Sequence, residues 1–296
     1  MPNMTYLNWC PENDKTVTSH EIDLHNQLHA KLAQEQDIRS IFKNKRLKLI
    51  PHIEKKLDIR FHGQVLDIGC GSGYASTWLA LNREVEKVYA LETSRSAVSE
   101  LIPKVSAHYG VENKVIPVHG SFNSIPEKNK FDFILAFGAL HHSGDLLKTV
   151  KECYNALRPG GYLVLQEPAL SDYVTNQAYI DTYESEENFR GLTTIRKKDR
   201  HDHFFRECEY KTAFHFAGFE IHFYRPKVLT EKSIVPVLKW IYKSFIRLSY
   251  QLITGKVKQW PYNDSTSLYS YVAALHKPKV EPSYIPHIWE RIDCSK

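Results

Sequence analysis

Residues 65–74 read Val65-Leu66-Asp67-Ile68-Gly69-Cys70-Gly71-Ser72-Gly73-Tyr74. A short apolar run that ends in a glycine cluster is a buried strand meeting a turn. Glycines in such a turn leave room for backbone N–H groups to approach a ligand. The dinucleotide fingerprint GxGxxG or GxGxxA does not fit. Counted from Gly69 its last position falls on Tyr74, and counted from Gly71 it falls on Ser76. GxxxxGK[ST] is absent as well, which excludes an ordinary nucleotide P-loop. The pattern that does fit is an acid, Asp67, two positions before GxGxG.

Outward from this loop, strands and helices alternate. Strands are expected at 64–68, 87–91, 115–118, 131–136, 162–166, 219–224 and 268–275, with Arg158-Pro159-Gly160-Gly161 as a turn before the fifth. Helices are expected at 74–81, with Ala75, Trp78 and Leu79 facing inward, and at 96–109, 146–157 and 207–217, the last stopped by Gly218. Residues 18–58 read as helical, with Leu24, Leu28 and Leu32 at four-residue spacing and Pro51 dividing the stretch in two. This alternation argues for a parallel sheet with helices on both faces. Strands that are apolar throughout fit burial on both sides. The expected organisation is a helical cap over 1–60, a main domain over 61–277 and a tail over 278–296. A helical insertion at 228–265 is expected inside the main domain, before the last strand.

The chain has 296 residues, 42% hydrophobic and 25% charged, with a net charge of +5. These are globular values and exclude disordered, collagen-like and multi-span membrane classes. A charge of +5 permits phosphate, nucleic-acid or acidic-membrane partners and demands none. The five cysteines are widely spaced with no CxxC, so free thiols are expected. The first residues have no basic segment followed by an apolar one, so no signal peptide and a cytoplasmic location are expected.

Three further segments join the glycine loop in order. Ala90-Leu91-Glu92 ends the second strand with an acid. Lys130 to Leu135 is followed by Gly138-Ala139-Leu140-His141-His142, and Leu157-Arg158-Pro159-Gly160-Gly161 turns into the fifth strand. Together they resemble the class I S-adenosylmethionine-dependent methyltransferases, in the broad type 11-like group that acts on small molecules. The resemblance is strong over about 64–166 and weak as far as about 277. It implies an α/β fold with a Rossmann-like, doubly wound, mostly parallel seven-stranded sheet, and S-adenosyl-L-methionine as cofactor. It also implies cofactor contacts from Asp67, Gly69, Cys70, Gly71, Gly73 and Phe137, with Glu92 accepting from both ribose hydroxyls. Where the family usually carries an acid for the adenine amino group, this chain has Ser121, followed by Phe122, which can pack on the adenine edge.

Methyl transfer from a sulfonium is an in-line displacement in which alignment supplies much of the rate. A hydroxyl nucleophile also needs a base. His141 and His142 are the candidates, at the end of the fourth expected strand. Packing around the cofactor is the competing role for both. His201, His203 and Arg200 are assigned to the acceptor pocket. His201 and His203 lack a third ligand at fixed spacing, so no metal is expected. By resemblance the N-terminal segment closes over the site, which makes Tyr6 and Trp9 candidate acceptor contacts.

Lys239, Lys243 and Arg247 form a basic stripe on an expected helix over 236–253. Its readings are a pocket lid, a homodimer contact or a peripheral membrane contact. The leading functional expectation is methyl transfer to O, N or C of a small molecule such as a sugar, nucleotide sugar, lipid or secondary metabolite. An RNA or protein methyltransferase, and a non-enzymatic binding protein that keeps the fold, are the alternatives. DNA is not an expected partner, because the (Asp/Asn/Ser)-Pro-Pro-aromatic signature is absent after the fourth strand.

Overall fold

A computed structural model describes residues 6–10, 19–35, 45–170, 205–223 and 268–279. The N-terminal part supplies β1 (Leu7–Asn8), α1 (Ser19–Glu35) and α2 (Leu49–Leu57). Then follow β2 (Gly63–Ile68), α3 (Tyr74–Ala80), β3 (Val85–Glu92), α4 (Ile102–His108), β4 (Val115–His119) and β5 (Phe131–Phe137). The described residues end with α5 (Leu146–Ala156), β6 (Leu157–Leu170), α6 (Glu207–Ala217), β7 (Glu220–Phe223) and β8 (Leu268–His276). The expected insertion at 228–265, its helix at 236–253 and the tail from 280 onward lie outside the described residues.

The strands form one sheet in the order β1-β4-β3-β2-β5-β6-β8-β7. All pairings are parallel except those of β8, which runs antiparallel to both β6 and β7. The seven expected strands are all present. An eighth, β1, pairs in parallel with β4 at the edge. Two residues carry no period, so β1 leaves no mark in the sequence pattern. Tertiary contacts hold it instead: the Trp9 N–H donates to the His119 carbonyl at 2.8 Å, and the Trp9 ring stacks on Tyr89.

Alternation along the strands sorts the core into two layers. Leu66 and Ile68 of β2 join Phe131, Ile134, Val150 and Phe214 between the sheet and α5 and α6. Val65 points the other way, into a layer with Ala75, Leu79, Val88 and Phe133 that also receives Ile50 and Ile53 from α2. Each buried Val, Leu, Ile or Phe side chain among these contributes about 1.5–3 kcal/mol. Asp67 shares the face of Val65, so the same alternation that builds the core aims this carboxylate at α3.

Four local expectations change. Pro51 does not divide a helix. It sits in the first turn of α2, where a missing N–H has no intrahelical partner to lose. Trp78 is exposed on α3, and its neighbours Ser76 and Thr77 are buried, because the small hydroxyls fit against the sheet end. On α1, Leu28 is exposed, while His29 and Ala33 are buried and Leu32 packs, partly buried, against the Ala33 cluster. The expected turn at 158–161 lies inside β6 as an irregularity. Phe131 pairs with Leu157 while Phe133 pairs with Tyr162, and Gly160 takes φ 86° between them.

Candidate functional site

The strand order reverses between β2 and β5: β2 leads outward to β3, and β5 outward to β6. In open α/β sheets, ligands bind beyond the carboxyl ends of the strands at such a switch point. The glycine loop leaves β2 there, and the His141–His142 loop leaves β5 beside it.

Gly69, Gly71 and Gly73 have φ of 60°, 55° and 73°, the left-handed region that favours glycine. Their surroundings differ. A Cβ on Gly69 would stand 2.8 Å from the Cβ of Ala139, so this glycine lets the two loops touch. A Cβ on Gly73 would press on Ile102 at 3.1 Å. A Cβ on Gly71 would meet nothing within 4 Å. Gly71 therefore borders open space on the side that a Cβ would occupy.

Two acids flank this loop. Asp67 is buried and accepts from Ser76 Oγ at 2.6 Å. Burial pushes its pKa up to about 7; the Ser76 hydrogen bonds oppose this and the charge of Glu92 adds to it. A group poised there changes protonation readily when a cation arrives. Glu92 ends β3 and is nearly buried. Its Oε2 accepts from the Gly71 N–H at 2.9 Å, and its Oε1 accepts from the Thr93 and Ser94 N–H groups at 2.9 and 3.2 Å. Oε2 keeps a second acceptor position. Cys70 lies between them, buried, and burial holds its thiol well above the ordinary range, followed by the charges of Asp67 and Glu92. The thiol stays protonated and unreactive.

On the other side of the switch point, Glu167 organises the histidine loop. It is fully buried near the end of β6. Its Oε1 accepts from the Ala139 and Leu140 N–H groups at 2.8 and 3.0 Å, and its Oε2 lies 2.8 Å from His141 Nδ1. With Nδ1 as the donor of this contact, the carboxylate fixes the orientation of the imidazole ring. The ring of His142 lies 4.1 Å from that of His141, and its backbone N–H donates to the Ala139 carbonyl. Glu167 is absent from the residues expected at the site. Its signal in the sequence is an acid near the end of a buried strand, directly after Gln166.

The remaining candidates fall around this centre. Phe122 comes within 3.8 Å of a Cβ built on Gly69. Ser121 is buried, and its Oγ accepts from the Asn123 N–H at 3.2 Å. Phe137 ends β5, and its carbonyl accepts from Arg46 Nη1 at 3.3 Å, which ties the N-terminal part to the site. Asn26 of α1 makes a second tie: its Oδ1 accepts from Ser94 Oγ and the Ser96 N–H. Neither Arg46 nor Asn26 is expected from the sequence. Tyr6 sits edge-on to His119 with ring centroids 6.1 Å apart. Trp9 packs on Tyr89 and Phe131 in the core layer. Arg200, His201 and His203 lie outside the described residues.

Among the described residues, Cys10, Cys70, Cys153 and Cys208 form no disulfide with one another. Among the described residues no helix is long and apolar enough to cross a membrane.

Residues 27–222 match the family described as "Methyltransferase domain". The chain is 32% identical over 116 residues to the tRNA U34 carboxymethyltransferase of Pseudoalteromonas atlantica, covering 39% of this chain and 34% of that protein. It is 26% identical over 154 residues to the glycine/sarcosine/dimethylglycine N-methyltransferase of Actinopolyspora halophila, covering 50% of this chain and 26% of the other. The chain thus spans about a third of the length of the first of these relatives and about a quarter of the second. In fold it is similar to the crystal structure of a "putative sarcosine dimethylglycine methyltransferase" from Galdieria sulphuraria. The TM-score is 0.56 at 20% identity, over 79% of this chain and 86% of that one. The chain belongs to the class I S-adenosylmethionine-dependent methyltransferases.

Proposed function

We propose that this chain methylates a small molecule at an O, N or C atom in the cytoplasm, with S-adenosylmethionine as methyl donor. The observation that carries the reading is the Glu167–His141 pair, held against the glycine loop at the switch point by the contact of Ala139 with Gly69. The donor, when bound, supplies a methyl group on a sulfonium centre with a thioether as leaving group. The residues fit it: the open space beside Gly71 gives a cradle, and the two neighbouring acids suit an ammonium and vicinal hydroxyls.

In this reading Asp67 takes the ammonium end, and Glu92 Oε2 accepts from ribose hydroxyls beside the Gly71 N–H. Ser121 accepts from the adenine amino group, and Phe122 covers the adenine edge. Phe137, Gly69, Cys70 and Gly73 shape the walls. His141 Nε2 withdraws a proton from a hydroxyl or ammonium acceptor, and Glu167 fixes the ring and stabilises the imidazolium that forms. His142 packs against that ring. Tyr6 is assigned to the acceptor, and Arg200, His201 and His203 are assigned to it from the sequence alone.

Two measurements test this. Calorimetry with S-adenosylhomocysteine should show binding that falls at least about tenfold in Glu92→Ala; unchanged affinity would sink the cofactor assignment. Radiolabelled methyl transfer into fractionated cell extract should label the low-molecular-mass fraction. Labelling of RNA would instead favour a second reading, an RNA methyltransferase, which the similarity to a tRNA carboxymethyltransferase supports. In that case affinity for bulk tRNA should fall steeply with salt.

A further inference from the structure

We propose that Glu220, His222 and His276 form a surface site for a single Zn2+ ion that clips strand β7 to strand β8. The three residues belong to a cross-strand pattern. Glu220 and His222 are two apart on β7, so they stand on one face. His276 of β8 pairs directly opposite Glu220. One ligand atom from each residue lies within 4.8 Å of the other two. His276 Nδ1 is already 2.8 Å from Glu220 Oε2, and the His222 and His276 rings are 6.4 Å apart. A tetrahedral Zn2+ with bonds of ~2.0–2.1 Å needs its ligand atoms about 3.3 Å apart. Closing from 4.8 Å to that spacing asks for rotation of two exposed side chains and of the partly buried His276.

The chemistry of the set selects the metal class. Two imidazoles and one carboxylate suit Zn2+ and neighbouring late transition metals, while Mg2+ and Ca2+ prefer oxygen ligands throughout. Water completes the coordination, since Glu220 and His222 face solvent. Tyr162 backs the site from the next strand, its ring 4.8 Å from that of His276. No methyl-transfer role follows. His276 pairs with Tyr162 near the start of β6, while the glycine and histidine loops leave the opposite ends of the parallel strands. The metal therefore acts on the fold. It fastens a four-residue edge strand to a partner that is distant in sequence.

The test uses the full chain, stripped with chelator and titrated with Zn2+ alone against a chromophoric competitor. One equivalent should bind to the wild type, and the melting temperature should rise on Zn2+ addition. His222→Ala and His276→Ala should each weaken binding by about 100-fold or more, beyond the 10–100-fold typical of losing an outer-shell partner. The melting shift should vanish with it. Glu220→Gln should weaken binding less. His201→Ala with His203→Ala should leave it unchanged. S-adenosylhomocysteine affinity should be the same with and without Zn2+, which separates this site from the methyl-transfer reading. Undiminished binding in both single histidine variants, or no stoichiometric binding to the wild type, would overturn the proposal.

Discussion

Replacing Asp67 by asparagine should flatten part of the pH dependence of stability of the cofactor-free protein. Burial holds this carboxyl at about 7 in the folded state, against 3.8 for an ordinary aspartate. Between those values the folded chain keeps a proton that the unfolded chain has released. Stability therefore falls as pH rises, by up to about 1.4 kcal/mol per pH unit. The group's full stabilising contribution is present below about pH 4 and lost by about pH 7. A shift of about three units corresponds to about 4 kcal/mol, an upper figure because solvent relaxation around the glycine loop reduces it. The amide introduced by Asp67→Asn cannot titrate, so the variant should lack this component. The assay is urea unfolding of both proteins at half-unit steps from about pH 4 to about pH 7.5. The stability difference between them should move by about 2–4 kcal/mol across that range, in favour of the variant at the high end. A difference that stays constant to within about 0.5 kcal/mol would refute the idea that Asp67 is protonated in the free protein. If it is protonated, binding S-adenosylhomocysteine at about pH 7 should release protons, visible as a binding enthalpy that depends on the ionisation heat of the buffer.

Glu167→Ala should cost about 2–5 kcal/mol in urea unfolding, because two buried backbone N–H groups and His141 lose their acceptor. Glu167→Gln keeps an oxygen for those N–H groups and should instead lower single-turnover methyl transfer by about 10²–10⁴-fold with cofactor affinity unchanged; a normal rate would remove the His141–Glu167 pair from the mechanism. Gly71→Ala should cost only about 1 kcal/mol, for its left-handed backbone, yet weaken S-adenosylhomocysteine binding at least about tenfold by calorimetry. Gly69→Ala should cost about 2–4 kcal/mol, because its Cβ would press on Ala139 at 2.8 Å; the reverse order of stability would show that the two loops do not meet as described. Lys277 is buried with Nζ donating to Asn129 Oδ1 and to the Tyr154 and Leu157 carbonyls, each at 2.9 Å. Lys277→Met should therefore cost about 2–4 kcal/mol, and an unchanged denaturation midpoint would contradict this network.

The residues that ligand geometry demands locally are legible in the sequence. Positive φ at Gly69, Gly71 and Gly73 and an acid two positions ahead are short-range requirements, written within seven residues, and Glu92 shows as the acid that ends the next apolar strand. The parallel sheet is legible for a similar reason, since strands buried on both faces are apolar from end to end. The eighth strand is not, because Leu7–Asn8 owes its conformation to Trp9 settling on Tyr89, a contact between residues far apart in the chain. Trp78 misleads because its spacing suggests the core, while the packed side of α3 is taken by Ala75, Ser76, Thr77, Leu79 and Ala80.

The fold class, the glycine loop and the two acids that flank it can thus be read from the order of residues alone. Which partner makes each group chemically useful is settled by packing. Glu167 orients His141 across 26 positions, and burial, against the opposing Ser76 hydrogen bonds, sets the proton on Asp67. Arg46 and Asn26 dock the N-terminal part onto the loops after β5 and β3. Glu220 and His222 meet His276 only because β7 and β8 pair. Protonation and orientation depend on distance and desolvation, and those are properties of packed neighbours, whatever their separation along the chain.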